Sequence, residues 1–373
     1  MLRKLILVVG LLLLASTGRL GYAQRAAPVD VFVAYDREIR ILQIYFTNGV
    51  TGLSTVTTIE NFVAEYDVLE YLDLAVNGVI VRQPAEIRPH LVTPGGSAAP
   101  ISFIPQRTDN LLDIDWAISP DGRTVAWAEI FFNQGVWDAS LYVAQLDGTD
   151  LRELPRLPQT PSRSFTRVAM IAVTNGGDRV FFDLHHPTAA RPPEDRFRDY
   201  QTLYVYSGQR EAYVALPSET DCLCPAGFGS TGEYFIRLER PILGNGYDIR
   251  VWNLDNNSFR LLPAFDTGYT QAGNILANPD GSLVLYTLTT PRVSGEDASD
   301  TTGSALVLAD FVEGEYRIVA EAEARTLAAL AFTNREQEAI VVDTQGGVTF
   351  KFNLETQVFT QVADKIWLGM LEG

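Results

Sequence analysis

Asp115-Trp116-Ala117-Ile118-Ser119-Pro120-Asp121-Gly122-Arg123-Thr124-Val125-Ala126-Trp127-Ala128-Glu129 is the stretch that decides the fold. Two short apolar runs flank a Ser-Pro-Asp-Gly turn. Proline presets φ on entry to such a turn, and glycine supplies the positive φ that closes it. After a polar stretch come Leu141-Tyr142-Val143-Ala144, the turn Leu146-Asp147-Gly148-Thr149, and Leu151 to Leu154. The unit reads as four short strands of period-two alternation separated by tight turns.

The same order recurs outward from this unit. Asn278-Pro279-Asp280-Gly281 precedes Ser282 to Tyr286, with Ala305 to Leu308 and Tyr316 to Val319 as later strands. Weaker copies begin at Asn77-Gly78, Thr174-Asn175-Gly176-Gly177, Ser230-Thr231-Gly232 and Thr333-Asn334-Arg335-Glu336. The glycines at 78, 122, 177, 232 and 281, together with Gln337, lie 44 to 56 residues apart. Four strands per unit at that period indicate the blades of a β-propeller.

The two ends supply one further blade. Val29 to Tyr35, Arg40 to Tyr45 and Leu53 to Thr58 give three strands without a first one. Ile366 to Leu371 is a strand without a blade. Pairing the C-terminal strand with the N-terminal ones completes the ring and removes an exposed edge. The expected fold is all-β: a seven-bladed β-propeller of four-stranded antiparallel blades, closed by pairing of the N- and C-terminal strands. With the N-terminal segment as an irregular cap, a six-bladed ring is the alternative.

Ile118-Ser119-Pro120-Asp121-Gly122 and Leu276-Ala277-Asn278-Pro279-Asp280-Gly281, each followed by an alternating strand, resemble the TolB-like or WD40-like β-propeller family. In that family such a turn joins the first and second strands of a blade. The resemblance covers most of the chain by spacing and two blades by motif. It implies the fold and says little about activity, because one fold hosts many functions.

Residues 1–23 read as a signal peptide, with 24–373 as a single propeller domain. Arg3 and Lys4 precede the apolar run Leu5 to Ala15, and Gly21-Tyr22-Ala23 offers small residues for cleavage. The run is short for a bilayer span, which needs roughly 20 residues; an uncleaved anchor is the alternative. The expected location is secreted or extracytoplasmic, in a periplasm or at a cell surface. Without Arg3, Lys4 and Arg19 the formal charge moves from −17 to −20. Nucleic acid is not an expected partner, since phosphate binding needs a positive footprint. Membrane insertion after cleavage is not expected either, and the chain is taken as a monomer.

Loop lengths point to a binding face. The connections after first and third strands are short, as at Asp121-Gly122, Asp147-Gly148 and Asp280-Gly281. Those after second and fourth strands read as long: Phe131 to Ala139, His185 to Tyr200, Glu239 to Tyr247, Thr290 to Gly303, Pro217 to Gly227 and Ala264 to Ala272. In an up-and-down blade both long classes leave from one end, and function concentrates on such loops. Trp137, Asp138, His185, His186, Arg191, Arg196, Tyr247, Asp266 and Tyr269 are the binding candidates there. Arg and aromatic residues anchor interfaces, so the expected partner is a protein or peptide.

Catalytic signatures are missing: no G-x-S-x-G elbow, H-E-x-x-H pair or phosphate loop occurs. The expected function is therefore binding or scaffolding. A hydrolase acting on peptide or glycan, with carboxylates over the central channel, is the alternative. Asp183-Leu184-His185-His186 carries zinc-ligand types, but neighbouring strand residues face opposite ways. No metal or cofactor is expected. His90 reads as a surface residue. Cys222 and Cys224 are expected to form a local disulfide, with a metal pair or free thiols as alternatives.

Overall fold

A computed structural model describes residues 27–64, 67–82, 87–133, 136–157, 167–185, 197–198, 200, 203–215, 224–229, 231–240, 246–263, 267–291 and 301–371, with backbone alone at 133, 136, 137, 167, 185, 291 and 301. Seven four-stranded antiparallel sheets form a propeller. Blade 1 contains Leu72–Ala75, Gly78–Val81, His90–Val92 and Ala99–Pro100. Blade 2 contains Leu111–Ile118, Thr124–Asn133, Val136–Gln145 and Arg152–Glu153. Blade 3 contains Arg167–Val173, Arg179–His185, Leu203–Ser207 and Ala212–Ala215. Blade 4 contains Ala226–Phe228, Tyr234–Glu239, Asp248–Asn253 and Ser258–Leu262. Blade 5 contains Gln271–Ala277, Leu283–Pro291, Thr301–Asp310 and Glu315–Glu323. Blade 6 contains Leu327–Thr333, Glu338–Asp343, Val348–Asn353 and Phe359–Ala363.

Blade 7 joins the two ends of the chain. Ile366–Leu371 pairs with Val29–Asp36, followed outward by Ile41–Asn48 and Ser54–Glu60. Val29 lies opposite Leu371, and the Trp367 indole N–H donates to Asp30 Oδ1 at 3.0 Å. Seven blades, not six, make the ring.

The hydrophobic core is divided among the interfaces between blades. Ile80, Trp116 and Trp127 pack between blades 1 and 2, and Ala128, Leu141, Val168 and Phe182 between blades 2 and 3. Ile249, Val284 and Tyr286 fill the space between blades 4 and 5. Each second strand is thus covered on both faces by neighbouring sheets. That explains why Val125-Ala126-Trp127-Ala128 is a continuous buried run, not a strict alternation. The outermost Glu315–Glu323 alternates and meets solvent.

The Ser-Pro-Asp-Gly turn has a definite mechanical role. Ser119 Oγ accepts the Thr124 N–H at 2.9 Å, five residues on. Thr174 Oγ1 accepts the Arg179 N–H at 2.9 Å, and Asn278 Oδ1 the Leu283 N–H at 2.9 Å, at the same offset. Blades 2, 3 and 5 therefore keep one hydrogen bond while the residue changes. Gly122 has φ +67°, and a Cβ there would lie 2.5 Å from the Val76 nitrogen of blade 1. Only glycine meets both demands.

Two local readings change. Phe131 to Ala139 is not a long loop: Thr124–Asn133 and Val136–Gln145 run on as a hairpin, pairing Asn133 with Val136. Extended apolar residues on both sides favoured continued pairing over a loop. His90 is buried, at 7% exposure, inside the strand His90–Val92.

Candidate functional site

The site grows from the innermost strands where they meet at the long-connection end of the channel. A short 3₁₀ turn, Val68–Tyr71, leads into blade 1 and presents Glu70. It is set by Asp67, whose Oδ1 accepts the Leu69 N–H at 3.1 Å. Asp67 Oδ2 accepts the Thr344 hydroxyl of blade 6, tying the turn to that blade. Asp73 follows on the innermost strand of blade 1. Arg82 leaves the second strand, its N–H donating to Tyr71 O at 2.9 Å.

Asp115, on the innermost strand of blade 2, is fully buried. Arg82 Nη2 donates to its Oδ1 at 2.5 Å. Arg198 Nη2 donates to both oxygens, at 3.1 and 3.0 Å. The Met170 N–H of blade 3 donates to Oδ2 at 2.8 Å. Three segments distant in sequence thus converge on one carboxylate. Such a group is tolerated in the interior only when paired and hydrogen-bonded. Arg82 also lies over the Trp116 ring, 5.2 Å from its centroid. Burial opposes the charge on Arg198, but Asp115, Tyr200 and Glu70 together outweigh it and hold that pKa above its usual value.

Arg198 lies between the second and third strands of blade 3 in sequence, and of that stretch the described residues Phe197, Arg198 and Tyr200 line the channel cavities. Phe197 is buried, and a Cβ added at Gly273 of blade 5 would fall 2.2 Å from its ring. The glycine is what admits the ring. Tyr200 and Cys224 exchange backbone hydrogen bonds of 2.9 and 3.0 Å. Asn274, next to Gly273, has φ 49° on a register slip of the innermost strand. A bulge of this kind re-aims a side chain. The amide nitrogen of Asn274 is buried and has no hydrogen-bond partner among the described residues.

These groups enclose two adjoining cavities. One, of about 230 Å³, is lined by Glu70, Asp73, Arg82, Trp116, Arg198 and Asn274 among others. The second, of about 210 Å³, shares Glu70, Arg198, Tyr200 and Asn274 and adds Phe197, Phe228 and Ile275. Both expose a mostly polar lining; the first carries the charged cluster, and Phe197, Phe228 and Ile275 line part of the second. Burial raises the Asp73 pKa to about 6, against Arg82 and Arg198, with Glu70 and Asp115 adding to the rise.

The candidates named from sequence lie elsewhere or outside the described residues. His186, Arg191, Arg196, Asp266 and Cys222 fall outside them. Trp137 and His185 are placed by backbone alone, on strands opposite Phe132 and Arg167. Asp138 forms an exposed ion pair with Arg156 at 3.1 Å. Tyr247 is buried between blades 4 and 5, donating to Thr270 O at 2.9 Å. Tyr269 donates to Glu321 Oε1 at 3.2 Å. The channel residues Glu70, Asp73, Arg82, Asp115, Arg198 and Asn274 were not singled out. Their signal was present as carboxylates inside apolar strands, Leu72-Asp73-Leu74 and Ile114-Asp115-Trp116.

Among the described residues no group of three metal-ligating side chains occurs, and no helix is long and apolar enough to cross a membrane. No family model and no curated protein matches the chain. Among solved structures it is similar to an oligogalacturonate lyase in complex with manganese, at 11% identity and TM-score 0.52, over 86% of this chain and 89% of that one. It is similar to TolB from Acinetobacter baumannii at 12% identity and TM-score 0.42, over 78% of this chain; it spans only 62% of the length of that TolB. It is similar to the periplasmic gluconolactonase of Pseudomonas aeruginosa at 15% identity and TM-score 0.47, over 92% and 96%. At these identities the likeness concerns the fold.

Proposed function

We propose that the chain is an exported binding module that takes a short segment of a protein or peptide at the long-connection end of its channel. One observation carries this reading: charged and polar groups from blades 1, 2, 3 and 5 converge on two adjoining, mostly polar cavities, the second of which also meets Phe197 and Phe228. Each lobe is smaller than the roughly 300 Å³ at which drug-sized pockets begin. Each suits one or two residues of a chain, not a folded surface. Binding is favoured over catalysis because Asp115, Arg82 and Arg198 hold one another. Export is inferred from Arg3, Lys4 and the apolar run after them.

The test uses Asn274→Gly, which removes the amide while suiting the φ of 49°. Peptides selected from a random library on the wild-type chain are expected to bind this variant at least several-fold more weakly. Unchanged affinity would place the binding surface elsewhere.

A second reading has its own support. Asp73, raised to about 6, sits beside carboxylates in different surroundings, the pattern of an acid and base pair in a hydrolase. Turnover of a peptide or glycan substrate that vanishes in Asp73→Asn while binding persists would establish it.

A further inference from the structure

The channel contains groups whose hydrogen bonding is complete and groups whose hydrogen bonding is not. Asp115 is saturated by two guanidinium groups and a backbone N–H. Asp73, in the same cavity, accepts no side-chain hydrogen bond among the described residues. Asn274 offers a buried amide nitrogen without an acceptor among the described residues, on a bulge in a strand that lines the channel. A buried donor left unmade costs about 1–3 kcal/mol, so it marks a place where a ligand atom restores something lost. The cavity therefore lacks one donor, for Asp73, and one acceptor, for Asn274.

The charges decide what kind of donor. Glu70, Asp73, Asp115, Arg82 and Arg198 are the charged groups that face this cavity or act on Asp73. Three carboxylates against two guanidinium groups leave one net negative charge when Asp73 is ionised. Both guanidinium groups are turned onto Asp115, and among the described residues no cation pairs with Asp73. The chain as a whole is strongly acidic and draws cations toward it.

Resting on the reading of the channel as a binding site, we propose that its ligand presents a primary ammonium group beside a hydrogen-bond acceptor, as a peptide N-terminus does, with the ammonium on Asp73 and the acceptor on the Asn274 amide. The second cavity, where Phe197, Phe228 and Ile275 stand beside polar groups, then receives the side chain or chain that follows. Burial already disfavours the Asp73 carboxylate, so a bound cation lowers its pKa, and by linkage affinity falls as pH drops through about 6.

The probe is glycinamide, which joins an ammonium to an amide carbonyl, compared with N-acetylglycinamide, which lacks the charge. Both are titrated into the full chain with ¹³C-labelled aspartate and soaked into its crystals. Glycinamide is expected in the cavity, binding at least ten-fold more tightly than the acetylated form. Saturation is expected to lower the Asp73 titration midpoint by about one unit, the linkage equivalent of ten-fold. Asp73→Asn is expected to erase the preference; the midpoint in the wild-type chain gives the same answer if that variant folds poorly. Equal binding of both probes in the cavity overturns the ammonium assignment and leaves the channel a binding site. Absence of both from the cavity overturns the assignment and the binding reading together.

Discussion

Asp115 and Asp73 lie on adjacent blades and meet opposite fates. Asp115 is buried but held by Arg82, Arg198 and the Met170 N–H. Asp115→Ala leaves two cations facing each other and an N–H without its partner, which costs about 3–5 kcal/mol in denaturant unfolding. A loss under about 1 kcal/mol would show that the cluster is solvated and weak. Asp73 has no such partner among the described residues, and burial raises its pKa from 3.8 to about 6. The folded chain then holds this proton more tightly than the unfolded one. Stability from this group is present below the unfolded pKa and is lost as pH rises toward about 6. Asp73→Asn is therefore expected to stabilise the chain by about 2 kcal/mol at neutral pH, allowing for part exposure, with little effect near pH 4. Equal destabilisation at both values would contradict the shift. Neither aspartate stands out by motif. Their meaning depends on Arg82 and Arg198, which lie 33 and 83 residues from Asp115 and are brought to it only by the ring.

At the scale of elements, turn chemistry was readable and loop placement was not. Ser119-Pro120-Asp121-Gly122 announces itself because proline and glycine fix φ locally. Thr174 in blade 3 does the same work with a hydroxyl, so the drifted copy remained legible through spacing. Thr174→Ala is expected to cost about 1 kcal/mol, the value of one hydrogen bond, in thermal unfolding; no change would make the bond incidental. The polar Asn133-Gln134-Gly135 run reads as part of a loop, but the apolar residues on both sides of it carry the hairpin through to Asn133 and Val136. The segment bearing Phe197 and Arg198 was equally hidden. Its placement depends on Gly273, a residue of another blade. Gly273→Ala is expected to cost about 1–3 kcal/mol through overpacking against Phe197, and much less in a Phe197→Ala background. Equal costs in both backgrounds would mean that the ring does not rest on this glycine.

For the whole molecule, closure is the organising fact. Val29 pairs with Leu371, so the chain's two ends meet in one antiparallel ladder. The absence of a first strand from the N-terminal group made this visible in the sequence. A permutant joining those ends by a short turn, opened between blades 1 and 2, is expected to unfold cooperatively near the wild-type midpoint. Removal of residues 366–371 is expected to abolish that cooperativity by exposing the edge of Val29–Asp36. A permutant that fails to fold while the truncation folds would reverse this view of closure. The ring also brings residues of blades 1 to 5 together at the channel mouth, where the ligand is expected. A crystallographic screen of small polar and charged fragments tests that most directly. Fragments clustered between Asp73, Arg198 and Asn274 are the expected result; an empty channel, with fragments only on the outer strands or the rim, would contradict it.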